Sequence, residues 1–208
     1  MAGVDRARYR RSMLAFAGLA VVIARAGEGR AGRLDDAVIK LAENGRRPGA
    51  VRAARAVSAL AEPRFVVFPV TAATAIAARR AGWPQAWLPC LAVVSGAAAR
   101  RVLARAVARP RPPAAIWLTE PEGFSLPSRH TSLAALTAGA CVGSTAVGGL
   151  RPHLAVLLAA AGVGASRVYL GVHWPTDVLA GWIFAEAWLA LAEVVIPSKQ
   201  VREHARRN

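Results

Sequence analysis

The chain is expected to be all-α, a polytopic membrane helical bundle of about six transmembrane helices with amphipathic helices at the interface. Three features carry that expectation. Hydrophobic residues make up 55% of the 208-residue chain and charged residues 19%, with mean hydropathy +0.34, whereas a soluble globule carries about 25% charge. The apolar residues come in blocks set between arginines. One block, 131–150, is long enough to cross a bilayer and holds no charge. The net charge of +15, from 27 Lys+Arg against 12 Asp+Glu, fits basic ends and loops better than a nucleic-acid surface. The basic residues are spread through every loop and do not form one stripe with stacking aromatics. Cys90 and Cys141 sit inside apolar blocks, which excludes a disulfide framework and offers no metal-ligand pattern.

The elements follow in order. The first block, 13–24, stands behind a basic start and before Ala24-Arg25-Ala26, so it resembles a signal peptide. Because more apolar blocks follow, it reads as an uncleaved first span, 13–27. Residues 28–60 differ: charges recur between Leu34, Val38, Ile39 and Leu41, and then between Val51, Ala54, Val57 and Leu60. That period suits amphipathic helices lying at the membrane surface, the alternative being a solvated hairpin without lipid contact. Gly45, Pro48 and Gly49 mark the turn between them. The core, 64–197, holds spans at 65–78, 83–99, 131–150, 152–172 and 174–196 of a single domain, 1–208. Arg25, Arg64, Arg79 and Arg100 extend the shorter spans by snorkelling to the headgroups. Six spans bring both termini to one face, with Arg6, Arg8, Arg10, Arg11, Arg79, Arg80, Arg151, Lys199, Arg202, Arg206 and Arg207. Short basic ends put that face in the cytoplasm.

Three segments carry chemistry, and alternating loops bring all three to one side of the membrane. They are Arg109-Pro110-Arg111-Pro112, Pro127-Ser128-Arg129-His130, and Ser166-Arg167 with His173 and Asp177 beyond it. His173 and Asp177, four apart at a helix start that Pro175 tolerates, share a face. A carboxylate on one imidazole nitrogen fixes the tautomer and leaves the other free to attack. Ser128 suits an N-cap, so the free N–H groups of its helix would point at an anion. His130 beside that anion is a candidate proton donor for a leaving oxygen. Arg111, Arg129 and Arg167 are forked, fixed-charge donors suited to phosphate oxygens.

With these residues in place, the chain resembles the type 2 phosphatidic acid phosphatase superfamily, the lipid phosphate phosphatases. That family's motifs are Lys-x6-Arg-Pro, Pro-Ser-Gly-His and Ser-Arg-x5-His-x3-Asp. The third is matched by Ser166, Arg167, His173 and Asp177, the second at Pro127, Ser128 and His130, the first at Arg111 and Pro112. Two departures stand out. The family lysine falls on Ala104, and either Arg105, one place off, or Arg101, one turn earlier, is expected to supply the cation. Arg129 replaces the glycine of the second motif, where it either adds a phosphate contact or restricts the lipid entrance. The resemblance implies that His173 attacks phosphorus to form a phosphohistidine and that Asp177 orients it. It further implies that His130 protonates the departing oxygen and then activates water, and that Arg111, Arg167, Ser128 and backbone N–H groups hold the phosphate. It calls for no metal and no cofactor.

The expected substrate is a lipid phosphate held in the bilayer: a polyprenyl phosphate or diphosphate, a prenyl-linked sugar phosphate, phosphatidic acid or phosphatidylglycerophosphate. The Ala, Arg and Gly usage is compatible with a GC-rich bacterium, whose plasma membrane carries polyprenyl-linked cell-wall sugars. A different class, an anionic-lipid transporter or binding protein, would use Glu186 as an intramembrane relay. A bond from Glu186 to a neighbouring helix is the plainer expectation. Glu193 reads as interfacial, and His153 and His204 as incidental.

Overall fold

The structure is a computed structural model that describes residues 2–26, 32–81, 86–144 and 150–195. Among the described residues there are eight α-helices and one 3-10 turn, with no strand. They are α1 (Ala2–Ala26), α2 (Arg33–Asn44), α3 (Pro48–Ala59), α4 (Pro63–Ala81), α5 (Leu88–Val107), the turn Ala114–Ile116, α6 (Arg129–Ser144), α7 (Leu150–Tyr169) and α8 (Pro175–Val195). Proline opens α3, α4 and α8, where its missing N–H has no helical partner to lose. Asp35 and Asp36 in α2 and Asp177 in α8 lie in first turns, where a carboxylate favours the helix dipole.

Six of the helices, α1, α4, α5, α6, α7 and α8, overlap the six segments expected as spans, of which 131–150 runs on into 145–149, outside the described residues. Arg11 of α1 pairs with Glu186 of α8, and Gly18 faces Ile183, so α1 and α8 run antiparallel. The ends of α5 and α7 and the starts of α4, α6 and α8 gather at one end of the bundle. The described ends of α1 and α8, at Ala2 and Val195, lie at the other. Among the described residues no single helix is long and apolar enough to cross a membrane. The pair formed by α3 and α4, bent by 48° at the corner 60–62, passes that test jointly. Composition explains the difference: the long helices are built largely on alanine and carry guanidiniums, Arg79 and Arg80 in α4 and Arg100, Arg101 and Arg105 in α5. The basic tail from Lys199 onward, with His204, and the link 27–31 lie outside the described residues.

The core joins Leu126, Leu133, Leu136, Val156, Ala160, Ala180 and Phe184. Small residues let the helices approach closely, which is how helices pack where lipid competes for apolar contact. At Gly181 a Cβ would meet the Ser128 carbonyl at 3.0 Å, so α8 can press on the start of α6 only without a side chain there. Gly171, at φ +75, makes the left-handed turn that sends the chain from α7 into α8.

The segment read as interfacial helices is more than a surface hairpin. Ile39 of α2 is buried against Val168 and Trp174, and Ala54 of α3 against Leu170 and Val172. Leu34, Val38 and Leu41 point outward. The hairpin thus braces the end of the bundle where the motifs meet, while its other face stays open.

Candidate active site

His173 sits in the turn between α7 and α8, with Asp177 one helical turn on; both are almost wholly buried. Asp177 accepts from four groups: Arg109 Nη1 at 2.5 Å, the Trp174 N–H at 2.8 Å, His173 Nδ1 at 3.3 Å, and the Ser125 hydroxyl. A carboxylate with its lone pairs so taken has no call on a proton, and it holds the His173 hydrogen on Nδ1. The other nitrogen, Nε2, lies 3.1 Å from Arg111 Nη1. An arginine only donates, so Nε2 presents its lone pair. Burial pushes the His173 imidazole down to about 4; the hydrogen bond to Asp177 opposes, and the charges of Arg111 and Arg167 add to the fall. The ring is therefore neutral at physiological pH.

Arg111 is set like a plate. Its Nε and Nη2 donate to the carbonyls of Gly123, Glu122 and Phe124, and Nη1 donates to Val172 at 2.6 Å. Burial lowers it to about 10, far enough above neutrality to keep the charge. Arg167, from the last turn of α7, is buried and donates to Ser58 of α3 at 2.8 Å. Its Nε has no partner among the described residues.

At the start of α6, Ser128 is the cap: its hydroxyl oxygen accepts from the Thr131 hydroxyl at 3.0 Å and, at 3.5 Å, from the Thr131 N–H. The Ser128 N–H donates to the Asp177 carbonyl at 3.0 Å, which ties the second motif to the third. His130 and His173 accordingly open at the same end of the bundle. His130 Nε2 lies 2.7 Å from Glu62 Oε1. Glu62 occupies the corner between α3 and α4. Burial raises its carboxyl, but the bond and charge of His130, with Arg129 and Arg167, hold it below its usual range. Arg129 reaches outward to Glu122 at 2.9 Å and Glu62 at 3.7 Å. The residue in the glycine position is thus engaged by carboxylates across the mouth.

Either of two arginines is expected to supply the cation of the family lysine. Arg101 and Arg105 are exposed on α5, and the guanidinium turned toward the cluster is that of Arg100, which donates to the Pro127 carbonyl at 3.1 Å. Helical geometry accounts for it. A step of four residues back from Ala104 misses its direction by about 40°, a step of three by about 60°. Sequence reasoning also passed over Glu62, Ser58, Ser125, and a buried pair behind the site. There Arg109 Nη2 meets Asp35 Oδ2 at 2.9 Å while Nη1 holds Asp177 and Thr176. Asp35 also accepts the Thr176 N–H and hydroxyl, at 2.9 and 2.6 Å. Proximity to the first motif marked Arg109; nothing local marked Asp35. Among the described residues no cluster of His, Cys, Asp and Glu has the arrangement to hold a metal ion. Glu186, the alternative relay, pairs with Arg11 of the neighbouring helix at 2.5 Å.

An Asp-braced histidine, a second histidine and convergent guanidiniums at one end of a helical bundle define the kind of site. The model of the PAP2 superfamily matches residues 85–200. The chain belongs to the PAP2 superfamily. It is 36% identical over 147 residues to the decaprenylphosphoryl-5-phosphoribose phosphatase of Mycolicibacterium smegmatis, a match spanning 65% of this chain and 73% of that one. It is 36% identical over 106 residues to phosphatidylglycerophosphatase B of Escherichia coli, spanning 44% of this chain and 39% of the relative. The fold is like that of a transmembrane PAP2-type phosphatidylglycerolphosphate phosphatase from Bacillus subtilis, with TM-score 0.73, 22% identity, and coverage of 93% of this chain and 96% of the other.

Proposed function

We propose that this protein is an integral membrane phosphatase that removes phosphate from a polyprenyl phosphate or diphosphate, or a prenyl-linked sugar phosphate, through a phosphohistidine. The observation that carries the proposal is the His173 ring, with Nδ1 bound to buried Asp177 and the Nε2 lone pair turned to Arg111. Nε2 attacks phosphorus as the bond to the lipid oxygen breaks, and that oxygen takes a proton from His130 in its imidazolium form, which is left neutral. Water then attacks the phosphohistidine, His130 takes its proton, and phosphate leaves. Arg111, Arg167 and the N–H groups capped by Ser128 hold the three oxygens, where positive charge does most of the catalysis. Arg100 takes the place read for Arg101 or Arg105, and Arg129 braces the mouth. The reaction uses no metal.

Lipid substrate and membrane embedding are supported by the apolar residues that long helices turn outward, among them Leu14, Phe68, Leu91, Val94, Val102 and Leu158. The prenyl reading is favoured by the Mycolicibacterium relative, matched over more of both chains than the Escherichia coli one. A phosphatidylglycerophosphate or phosphatidic acid substrate is the second reading, favoured by the latter match. In this reading the chain spans the plasma membrane of a bacterial cell six times, its basic ends are retained in the cytoplasm, and the site serves the outer face. Purified protein, given each of these lipids in detergent with EDTA, should release phosphate fastest from a prenyl substrate, be blocked by vanadate, and lose turnover in His173→Ala. Unchanged turnover in that variant refutes the mechanism; preference for phosphatidylglycerophosphate selects the second reading.

A further inference from the structure

The two site histidines present opposite hydrogens on the same ring atom. His173 Nε2 faces an arginine, which only donates, so it is the bare nitrogen. His130 Nε2 faces Glu62 Oε1 at 2.7 Å, and an ionised carboxylate only accepts, so this nitrogen carries hydrogen. The other His130 nitrogen, Nδ1, is buried with no partner among the described residues, which is where a neutral ring keeps its lone pair. The surroundings of His130 otherwise oppose a proton. Arg129 stands beside it on α6, and Arg167 acts on it from α7. Arg100 on α5 lies near Arg129, and Asp177 on α8 is already saturated. Glu62 is the carboxylate in contact with the ring.

From this arrangement we infer that Glu62 is a positioning residue for the second histidine: its carboxylate keeps one hydrogen on His130 Nε2 and its charge favours the imidazolium, so that Nδ1 carries the proton given to the leaving oxygen and the ring returns to the neutral Nε2–H form, while His173 serves as the nucleophile. The inference rests on the phosphatase reading above and deepens it. Glu62 itself forms and breaks no bond to phosphorus. The 48° corner between α3 and α4 puts the carboxylate there, and its backbone is occupied in starting α4, the Glu62 carbonyl accepting from Phe65 and Val66. The side chain faces the ring through Oε1, while Oε2 lies 3.7 Å from Arg129 Nη2.

The leaving group separates this role from a merely structural one. An alkyl alcohol needs a proton as it departs; p-nitrophenolate does not. In single turnover, Glu62→Gln should slow alcohol release from dodecyl phosphate by about tenfold to a hundredfold, up to the lower end of the 10²–10⁴-fold that acid–base catalysis supplies, and slow p-nitrophenolate release from p-nitrophenyl phosphate by less than about threefold. Glu62→Asp should fall between Gln and wild type on the alkyl ester, and it serves where the Gln variant does not fold. Equal losses on both esters, or a lower KM with kcat unchanged, overturn the inference; the second result would make Glu62 a competitor of phosphate. A second measurement needs no turnover. In ¹⁵N-histidine spectra of the wild-type protein, assigned with His→Gln variants, His130 should be the Nε2–H tautomer and His173 the Nδ1–H tautomer. The reverse for His130 overturns the role of Glu62 whatever the substrate proves to be, whereas inactivity on every phosphate ester with these tautomers intact counts against the phosphatase reading alone.

Discussion

Asp177 is surrounded by donors, and that decides what its replacement does. In Asp177→Asn an amide NH₂ must face Arg109 on one side or the Trp174 N–H, the Ser125 hydroxyl and His173 Nδ1 on the other. If it faces His173, the ring reverses its tautomer and Nε2 loses the lone pair. The expected result is a fall in kcat on the order of 10⁴-fold, as for other orienting carboxylates, with KM little changed; near-normal kcat in a folded Asn variant would mean the tautomer is set elsewhere. The acid side of the pH profile tests the same ring. His173 is depressed from the ordinary 6.5 to about 4, chiefly by burial, so protonation disables the nucleophile only as pH falls through about 4. After correction for the ester's own ionisation near about pH 6, kcat/KM should stay level from pH 6.5 down to 5 and drop below that. An acid limb centred at 6.5 would show a solvated, unperturbed imidazole.

At the level of elements, α2 is fastened by charge. Asp35 and Arg109 are each about 1% exposed, and together with Thr176 they join α2, the segment after α5 and the start of α8. Removing one member of a buried pair costs about 3–5 kcal/mol when the other is left uncompensated, and less here because Arg109 keeps Asp177. Asp35→Ala should therefore lower the thermal midpoint in detergent markedly and cut activity through Asp177; a wild-type melting curve would show that α2 contributes little. This element also marks the reach of sequence reading. The charge rhythm of 28–60 announced amphipathic helices, but an acid on such a helix looks solvated until the tertiary fold buries it beside an arginine some seventy residues on. The motif residues were legible because fixed spacings tie them to one another within a turn or a loop, as with His173 and Asp177. Glu62, Ser58 and Asp35 come from other elements, and no local spacing links them to their partners. Arg100 was visible as an arginine yet was read as a snorkeller; only the helical angle relative to Ala104 separates it from Arg101.

For the molecule as a whole, helix order and the place of the site are coupled. α4 descends from the corner at Glu62 to Arg79, and α5 returns to the site, so Arg79 and the motifs lie at opposite ends. If the basic termini are retained in the cytoplasm, as proposed, Arg79 is inside and the α2–α3 turn, with exposed Arg47, is outside. The open apolar face of α2, formed by Leu34, Val38 and Leu41, would then rest on the outer leaflet beside the mouth. In a variant lacking Cys90 and Cys141, a membrane-impermeant maleimide applied to intact cells should label Arg47→Cys, and should label Arg79→Cys only after the membrane is opened. The opposite pattern would turn the site toward the cytoplasm while leaving its chemistry untouched, because every contact within the cluster is independent of which face it serves. Labelling of both positions in intact cells would break the bundle topology itself, since one descent along α4 must separate them by its 19 residues, about 28 Å of helix.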